Sequence, residues 1–197
     1  MSQFDLKTGD ILLFSYGGKS LFSSLIKMFT HSEFTHVGMV IKDPKFIHPS
    51  LKGYYVWESG LEDEEDPQDG KKKLGVQITP FEEIYQNYAK DKSQIYVRRV
   101  SDESPFNDTI LEEIHKVVYD KPYDIVPSDF IEALFRKDHD KQKTCRFWCS
   151  ALLGYIYTQC NILDSETDWS ILRPCDFSSD SKELQFKISL SDNIKIL

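Results

Sequence analysis

The sequence predicts an α+β domain in which an antiparallel β-sheet packs against helices. Short apolar runs bounded by turn residues fill much of the first hundred residues, as buried strands do, whereas helical periodicity dominates the second half. Strands that come first and helices that come later favour an antiparallel sheet covered by helices. At 197 residues, of which 40% are hydrophobic, the chain is long enough for one core. We therefore expect a single domain over residues 1–197.

The charge balance argues against a nucleic-acid-binding protein. The chain has 24 Lys and Arg against 32 Asp and Glu, a net charge of −8 that would repel a phosphate backbone. The first ten residues lack the basic and apolar segments of a signal peptide, and no apolar run approaches the roughly 20 residues that span a bilayer. We therefore expect a cytoplasmic protein whose four cysteines are reduced thiols. The sequence leaves membrane association and oligomeric state open.

The first half of the chain carries the strand-like pattern. Strands are predicted at 9–14, 33–41 and 53–59. Between the first two strands, one apolar stripe predicts a short amphipathic helix over 19–29. The acidic stretch 61–73 breaks the strand pattern and is predicted to be an exposed, mobile loop.

A capping signature marks the first helix after that loop. Thr79 is the predicted N-cap, Pro80 occupies the first helical position, and Glu82 follows the cap by three residues. This combination satisfies the free N–H groups at a helix start. It therefore predicts that a helix begins at Thr79.

Helical periodicity predicts three further helices. They span 104–120, 128–137 and 144–160, and the last two are capped by Ser128 and Thr144. The inward-facing residues of the first of these are predicted to be Ile110, Ile114, Val117 and Val118. Further strands are predicted at 94–100 and 183–197.

An ionisable ring lies in the middle of the second predicted strand. His36 interrupts the apolar alternation of "EFTHVGMVI", and Glu58 lies on the next strand, in "VWES". If these strands pair as an antiparallel hairpin, both side chains can point from one face of the sheet toward the helix that packs on it. A carboxylate in that position can hold one imidazole nitrogen and fix the tautomer of the ring.

Cys149 lies close to the start of a predicted helix, where free N–H groups and the positive end of the helix dipole stabilise a thiolate. An imidazole within hydrogen-bond reach would take the thiol proton and leave a nucleophile for a carbonyl carbon. We therefore expect Cys149 as nucleophile, His36 as base and Glu58 as the residue that orients the base. The Cys149 N–H would contribute to an oxyanion hole, whose second donor the sequence leaves open.

Four stretches in this order resemble a known family. The segments "THVGMVI", "VWES", "FWCSALLGYIY" and "LRPCDF" resemble the circularly permuted branch of the papain-like NlpC-type superfamily. That branch includes bacterial YiiX-like proteins, relatives in large DNA viruses and lecithin retinol acyltransferase-like enzymes. Its histidine precedes its cysteine, as His36 precedes Cys149 here, and the resemblance spans nearly the whole chain.

The resemblance implies a permuted papain-like fold and a thiol hydrolase or acyltransferase that needs no metal or organic cofactor. The implied substrate is a peptide or lipid acyl group, cleaved at an amide or ester bond, and a viral member could be virion-associated. His36, Glu58 and Cys149 match the family's base, orienting residue and nucleophile. Two positions depart from the pattern: Ala151 replaces an acid common in YiiX-like members, and Glu58 replaces the second histidine of the acyltransferase-like branch.

Other interpretations of the same residues stay open. One is a non-catalytic binding or structural protein that keeps the fold. Another is a zinc module in which Cys145, predicted to share a helical face with Cys149, joins His36 and Glu58. The alternative bases are His31 and His48. Cys160 and Cys175 are expected to be core residues or to have no particular role, and His115 and His139 are expected to be solvated.

Overall fold

A six-stranded antiparallel sheet organises the chain. The structure is a computed structural model that describes residues 4–17, 33–61, 65–124 and 144–197. The strands are β1 (Ile11–Ser15), β2 (His36–Lys42), β3 (Tyr54–Leu61), β4 (Leu74–Pro80), β5 (Gln94–Arg98) and β6 (Ile194–Lys195). Their spatial order is β4-β3-β2-β1-β5-β6, and every neighbouring pair is antiparallel. The predicted α+β class is therefore confirmed.

Three α-helices lie in the described ranges. They are α1 (Phe81–Lys90), α2 (Asp108–Val118) and α3 (Cys149–Gln159). Helix α3 is buried from Cys149 to Tyr157, as expected of a helix inside the core rather than on its surface. None of the helices in these ranges is long and apolar enough to cross a membrane. The helices predicted at 19–29 and 128–137 lie outside the described residues, as do His31 and His139.

The sheet buries apolar side chains on both faces, because alternate residues of a strand point to opposite sides. One face packs with α2 and α3 in a large cluster that includes Trp57 and Phe147. The other face packs with α1 in a smaller cluster that includes Phe14 and Phe81. His36 pairs directly with Phe14 and therefore belongs to the α1 face.

Strand β4 is absent from the sequence prediction, which places a helix start at Thr79. In the structure Thr79 lies in β4 opposite Val56, and α1 begins at Phe81. Pro80 is the N-cap, and it makes no side-chain capping bond. The predicted cap is therefore wrong, because pairing of this segment with β3 outweighs a local capping signature.

Helix α3 begins at Cys149 and not at Thr144, so the predicted cap is wrong here too. The chain before it is not helical: Phe147 bridges Tyr123, and Trp148 is the N-cap with extended backbone angles. Cys145 is exposed ahead of the helix and does not share a helical face with Cys149. Cys149 consequently lies in the first turn, at the positive end of the helix dipole.

The described part of the acidic stretch, residues 65–73, is exposed at five of its nine residues, but it also has a defined turn structure. Asp66 bridges Lys71, and both Asp66 and Lys73 are buried. The Lys73 Nζ atom lies 3.0 Å from Oδ2 of Asp66 and 2.9 Å from Oδ2 of Asp69. The ion pairs hold the turn together, and the Tyr119 hydroxyl, which donates to Asp69 at 2.8 Å, ties it to the end of α2.

Helix α2 departs from the prediction at two residues. Ile114 and Val118 are buried as predicted, whereas Val117 is 38% exposed. His115 is partly buried rather than solvated, and its ring centroid lies 6.0 Å from that of Trp57. Burial lowers the pKa of His115, so the ring belongs to the packed side of the helix.

Gly38 marks a close approach of β2 to β3. A Cβ atom added there would lie 2.5 Å from Cγ1 of Val56 and 3.3 Å from Cβ of Glu58. We expect Gly38→Ala to lower the free energy of unfolding by about 1–3 kcal/mol in denaturant titrations, because the added methyl group overpacks this face. Gly60→Ala is the control, since a Cβ there would meet the His36 ring at an ordinary 3.4 Å. Equal losses in the two variants would contradict the overpacking argument.

Candidate active site

His36 and Glu58 form a hydrogen-bonded pair on the α1 face of the sheet. His36 is the first residue of β2, and its Nε2 atom lies 2.6 Å from Oε2 of Glu58 on β3. The side chain of Glu58 is 1% exposed and that of His36 is 18% exposed. A short bond to a buried carboxylate fixes the ring and leaves Nδ1 for another partner.

Cys149 is that other partner, although its helix packs on the opposite face of the sheet. The Cys149 thiol lies beside the His36 ring and the Val37 N–H, close enough for both groups to lower its pKa. The start of α3 therefore meets the start of β2, and the structure brings together all three side chains that the sequence analysis selects.

The pairing pattern of β2 explains why a backbone N–H is available to the thiol. Val40 donates its N–H to Asp10 beside β1, and successive residues of a strand turn their N–H groups to opposite sides. Val37 therefore turns its N–H toward β3. Pairing between β2 and β3 extends only as far as Met39 opposite Trp57, so the Val37 N–H lies past the end of that ladder.

Two serine hydroxyls anchor the chain on either side of the nucleophile. Ser59 on β3 donates to the carbonyl of Phe147 at 2.6 Å. Ser150 donates to the carbonyl of Leu172, also at 2.6 Å. Both bonds are buried: the first holds the segment before α3 against the sheet, and the second holds the first turn of α3 to the chain at Leu172. Cys149 is thereby positioned from both neighbouring segments.

The charges at the site favour a thiolate and an imidazolium. Burial acts to raise the pKa of the Cys149 thiol, but the His36 charge and hydrogen bond and two backbone N–H groups lower it below its ordinary value. Burial also acts to lower the pKa of His36, yet Cys149 and then Glu58 raise it well above its ordinary value. Both shifts favour the charged forms of the two side chains, a thiolate and an imidazolium.

Tyr123 is a further neighbour of the thiol, which the sequence analysis misses. It lies in a segment that bridges β4 and Phe147, and its hydroxyl is near enough to Cys149 for the thiol to influence its pKa. Burial, followed by the charges of Cys149 and Asp124, raises the pKa of Tyr123 well above its ordinary value. The phenol is therefore a neutral donor beside the nucleophile. No periodicity or motif marks Tyr123, because it belongs to no helix or strand.

Thr79 is a second residue of the site, besides Tyr123, that the sequence analysis does not predict. Its hydroxyl donates to Oε1 of Glu58 at 2.7 Å, whereas Oε2 bonds His36. Both carboxylate oxygens therefore have a partner. The capping signature predicts that Thr79 starts a helix, so it gives no indication of this contact with Glu58.

The remaining candidate residues lie apart from this site. His48 is exposed, and its Nδ1 atom bonds the Ser50 hydroxyl at 2.7 Å. Cys145 is exposed. Cys160 is buried as predicted, and burial raises its pKa to about 12, so it is an inert thiol. Cys175 is only partly buried.

Comparisons with known proteins agree with this architecture. The chain is 29% identical over 216 residues to an uncharacterized protein of Acanthamoeba polyphaga mimivirus, a match that covers 97% of this chain and 82% of that protein. Among solved structures, it is similar to the metalloprotein YiiX of Escherichia coli, with a TM-score of 0.54 and 18% identity over 98% of both chains. The chain has the fold of YiiX. No protein-family model matches the sequence.

The side chains that the structure describes do not fit a metal site. Across the described ranges, no group of three or more His, Cys, Asp or Glu residues is placed to hold an ion. The zinc interpretation also lacks Cys145 as a ligand, because this residue is exposed and lies outside α3. His36 instead bonds Glu58 through one ring nitrogen and has Cys149 beside it.

Proposed function

We propose that the protein is a cysteine-dependent hydrolase or acyltransferase, which cleaves an amide or ester bond through an acyl-cysteine intermediate. One observation carries the proposal: a single imidazole bonds a buried carboxylate and lies beside a thiol at a helix N-terminus. His36 Nε2 lies 2.6 Å from Glu58, and the Cys149 thiol is close enough to raise the pKa of the ring. The fold shared with YiiX supports the proposal by analogy alone.

In the first half-reaction, the Cys149 thiolate attacks the substrate carbonyl carbon, and the carbonyl π electrons move to oxygen as the C–S bond forms. The N–H groups at the start of α3 and the Tyr123 hydroxyl stabilise that oxyanion. His36 then gives its Nδ1 proton to the leaving amine or alcohol as the C–N or C–O bond breaks. Glu58 holds the ring and stabilises the imidazolium throughout.

In the second half-reaction, neutral His36 takes a proton from water or from another nucleophile, which attacks the thioester carbon. The C–S bond breaks, and Cys149 leaves as a thiolate beside the imidazolium. The resting ion pair is thereby restored. The acceptor decides between hydrolysis and acyl transfer, and either a peptide or a lipid acyl group supplies the carbonyl.

Acyl trapping tests this proposal. The protein is incubated with p-nitrophenyl acetate or octanoate, and we expect a mass gain of one acyl group on Cys149 that neutral hydroxylamine removes. Cys149→Ser is the control, and the exposed Cys145 reports non-specific acylation within the same chain. Acylation of Cys145 without acylation of Cys149 would contradict the proposal and favour a non-catalytic binding protein that keeps the fold.

The oxyanion donors give a second prediction. We expect Tyr123→Phe to slow acylation of Cys149 by about 100-fold, because the developing oxyanion loses one hydrogen-bond donor. Release of p-nitrophenol measures the rate. Tyr119→Phe is the matched control, since the Tyr119 hydroxyl donates to Asp69. If Tyr123→Phe reacts at the parental rate, its hydroxyl has no part in acylation.

A further inference from the structure

Thr79 lies next to the proposed catalytic residues and hydrogen-bonds one of them, Glu58. Its Oγ1 atom donates to Oε1 of Glu58 at 2.7 Å, while Oε2 of Glu58 lies 2.6 Å from His36. We propose that Thr79 is a positioning residue, whose hydroxyl fixes the Glu58 carboxylate so that Glu58 holds His36 against Cys149. This role rests on the proposed function.

The carboxylate depends on Thr79 because the other polar neighbour on β4 does not hold it. Gln77 pairs directly with Glu58 across the two strands, yet its Nε2 atom has no hydrogen-bond partner among the described residues. Thr79 and Glu58 are 5% and 1% exposed, so bulk water does not replace a lost hydroxyl freely. The terminal torsion of a glutamate is broad, and a carboxylate without this tether can turn.

The local backbone also suits Thr79 to this role. Sheet pairing with Val56 fixes the residue, so the direction of its hydroxyl is set by a rigid element rather than by a loop. Helix α1 begins directly afterwards without a side-chain capping bond, although threonine is a favoured cap. The hydroxyl is thus committed to the carboxylate and not to the helix.

The pH profile of Cys149 alkylation by iodoacetamide tests this role. We expect the midpoint to rise by about 0.5–1 pH unit in Thr79→Val and Thr79→Ala, the equivalent of one hydrogen bond. The midpoint should rise because a Glu58 carboxylate that is free to turn stabilises the His36 imidazolium less. The Cys149 thiolate then has less positive charge beside it. Thr79→Ser keeps the hydroxyl and should keep the parental midpoint.

Two controls separate this role from ordinary packing. Thr158→Val removes a hydroxyl that donates to the Gly154 carbonyl at 2.8 Å, near the opposite end of α3, and should leave the midpoint unchanged. In a Glu58→Gln background, Thr79→Val should add no further shift, because the two residues act in one chain of contacts. Circular dichroism confirms folding of each variant. If Thr79→Val does not fold, the Thr79→Ala and Thr79→Ser pair decides.

Parental midpoints in Thr79→Val and Thr79→Ala would overturn the role of Thr79. So would an equal shift in Thr79→Ser, or a further shift in the Glu58→Gln background. An ordinary thiol midpoint in the parent protein would instead overturn the proposed function, and the role of Thr79 with it. The parent is measured first, so these two failures are distinguished.

Discussion

Replacing His36 by alanine is expected to raise the midpoint of the pH profile for Cys149 alkylation by about two pH units or more. Burial acts to raise the pKa of this thiol, and the charge of His36 is the largest influence that opposes it. Without the imidazolium, less opposes the effect of burial, so the pKa of the Cys149 thiol rises above the ordinary thiol value of about 8.5. At pH 6 the thiolate fraction, and with it the alkylation rate, should fall about 100-fold.

The midpoint is the quantity to measure, rather than the rate at one pH. Cys149 is 5% exposed, so access of the reagent slows alkylation at every pH, but it does not move the pH at which half of the thiol is ionised. Peptide mapping by mass spectrometry assigns the label to Cys149. His48→Ala is the matched control, because His48 is exposed and bonds only its neighbour Ser50 in the described structure. Equal midpoints in the parent and in His36→Ala would remove the main support for the proposed function.

The sheet is largely predictable from sequence, because strands that are buried on both faces are short and nearly continuous apolar runs. The runs at 9–14, 33–41, 53–59 and 94–100 correspond to β1, β2, β3 and β5. Strand β4 is not predicted, since its last residues also carry a good helix-capping signature. Only pairing with β3, a contact distant in sequence, decides between those two structures.

The candidate site is predictable where its residues carry local signals. His36 and Glu58 are polar residues inside apolar strands, and Cys149 lies near a helix start. Tyr123 and Thr79 carry no such signal, because their bonds to Cys149 and Glu58 arise from tertiary packing. The later start of α3 strengthens the expectation for Cys149, since it moves the thiol to the first turn.

Among the stability predictions, replacement of Lys73 is expected to have the largest effect. Its side chain is 7% exposed, and its Nζ atom bonds the carboxylates of Asp66 and Asp69. The same ammonium group lies 4.6 Å from the centre of the Tyr119 ring. Asp66 is 2% exposed, so this carboxylate depends on the lysine for its counter-charge.

We expect Lys73→Met to lower the free energy of unfolding by about 3 kcal/mol in urea titrations at pH 7, because it leaves Asp66 buried without a cation. The difference in unfolding free energy between Lys73→Met and the parent should become smaller as the pH falls below about 4, the ordinary pKa of an aspartate. Burial acts to raise the pKa of Asp69, but its bonds to Lys73 and Tyr119 lower it overall. A depressed folded pKa stabilises the protein above the unfolded pKa, and this stabilisation disappears as the pH falls through the folded value.

Lys116→Met is the matched control for this prediction. Lys116 lies 3.2 Å from Glu112 and 2.8 Å from Glu113, but its side chain is 56% exposed. Exposed ion pairs contribute little to stability, so this variant should unfold close to the parental midpoint. Adding Asp66→Asn to Lys73→Met should recover part of the loss, because a neutral amide does not require a cation. If both lysine variants lose the same free energy of unfolding, or if Asp66→Asn restores none of it, the buried charge is not the origin of the effect.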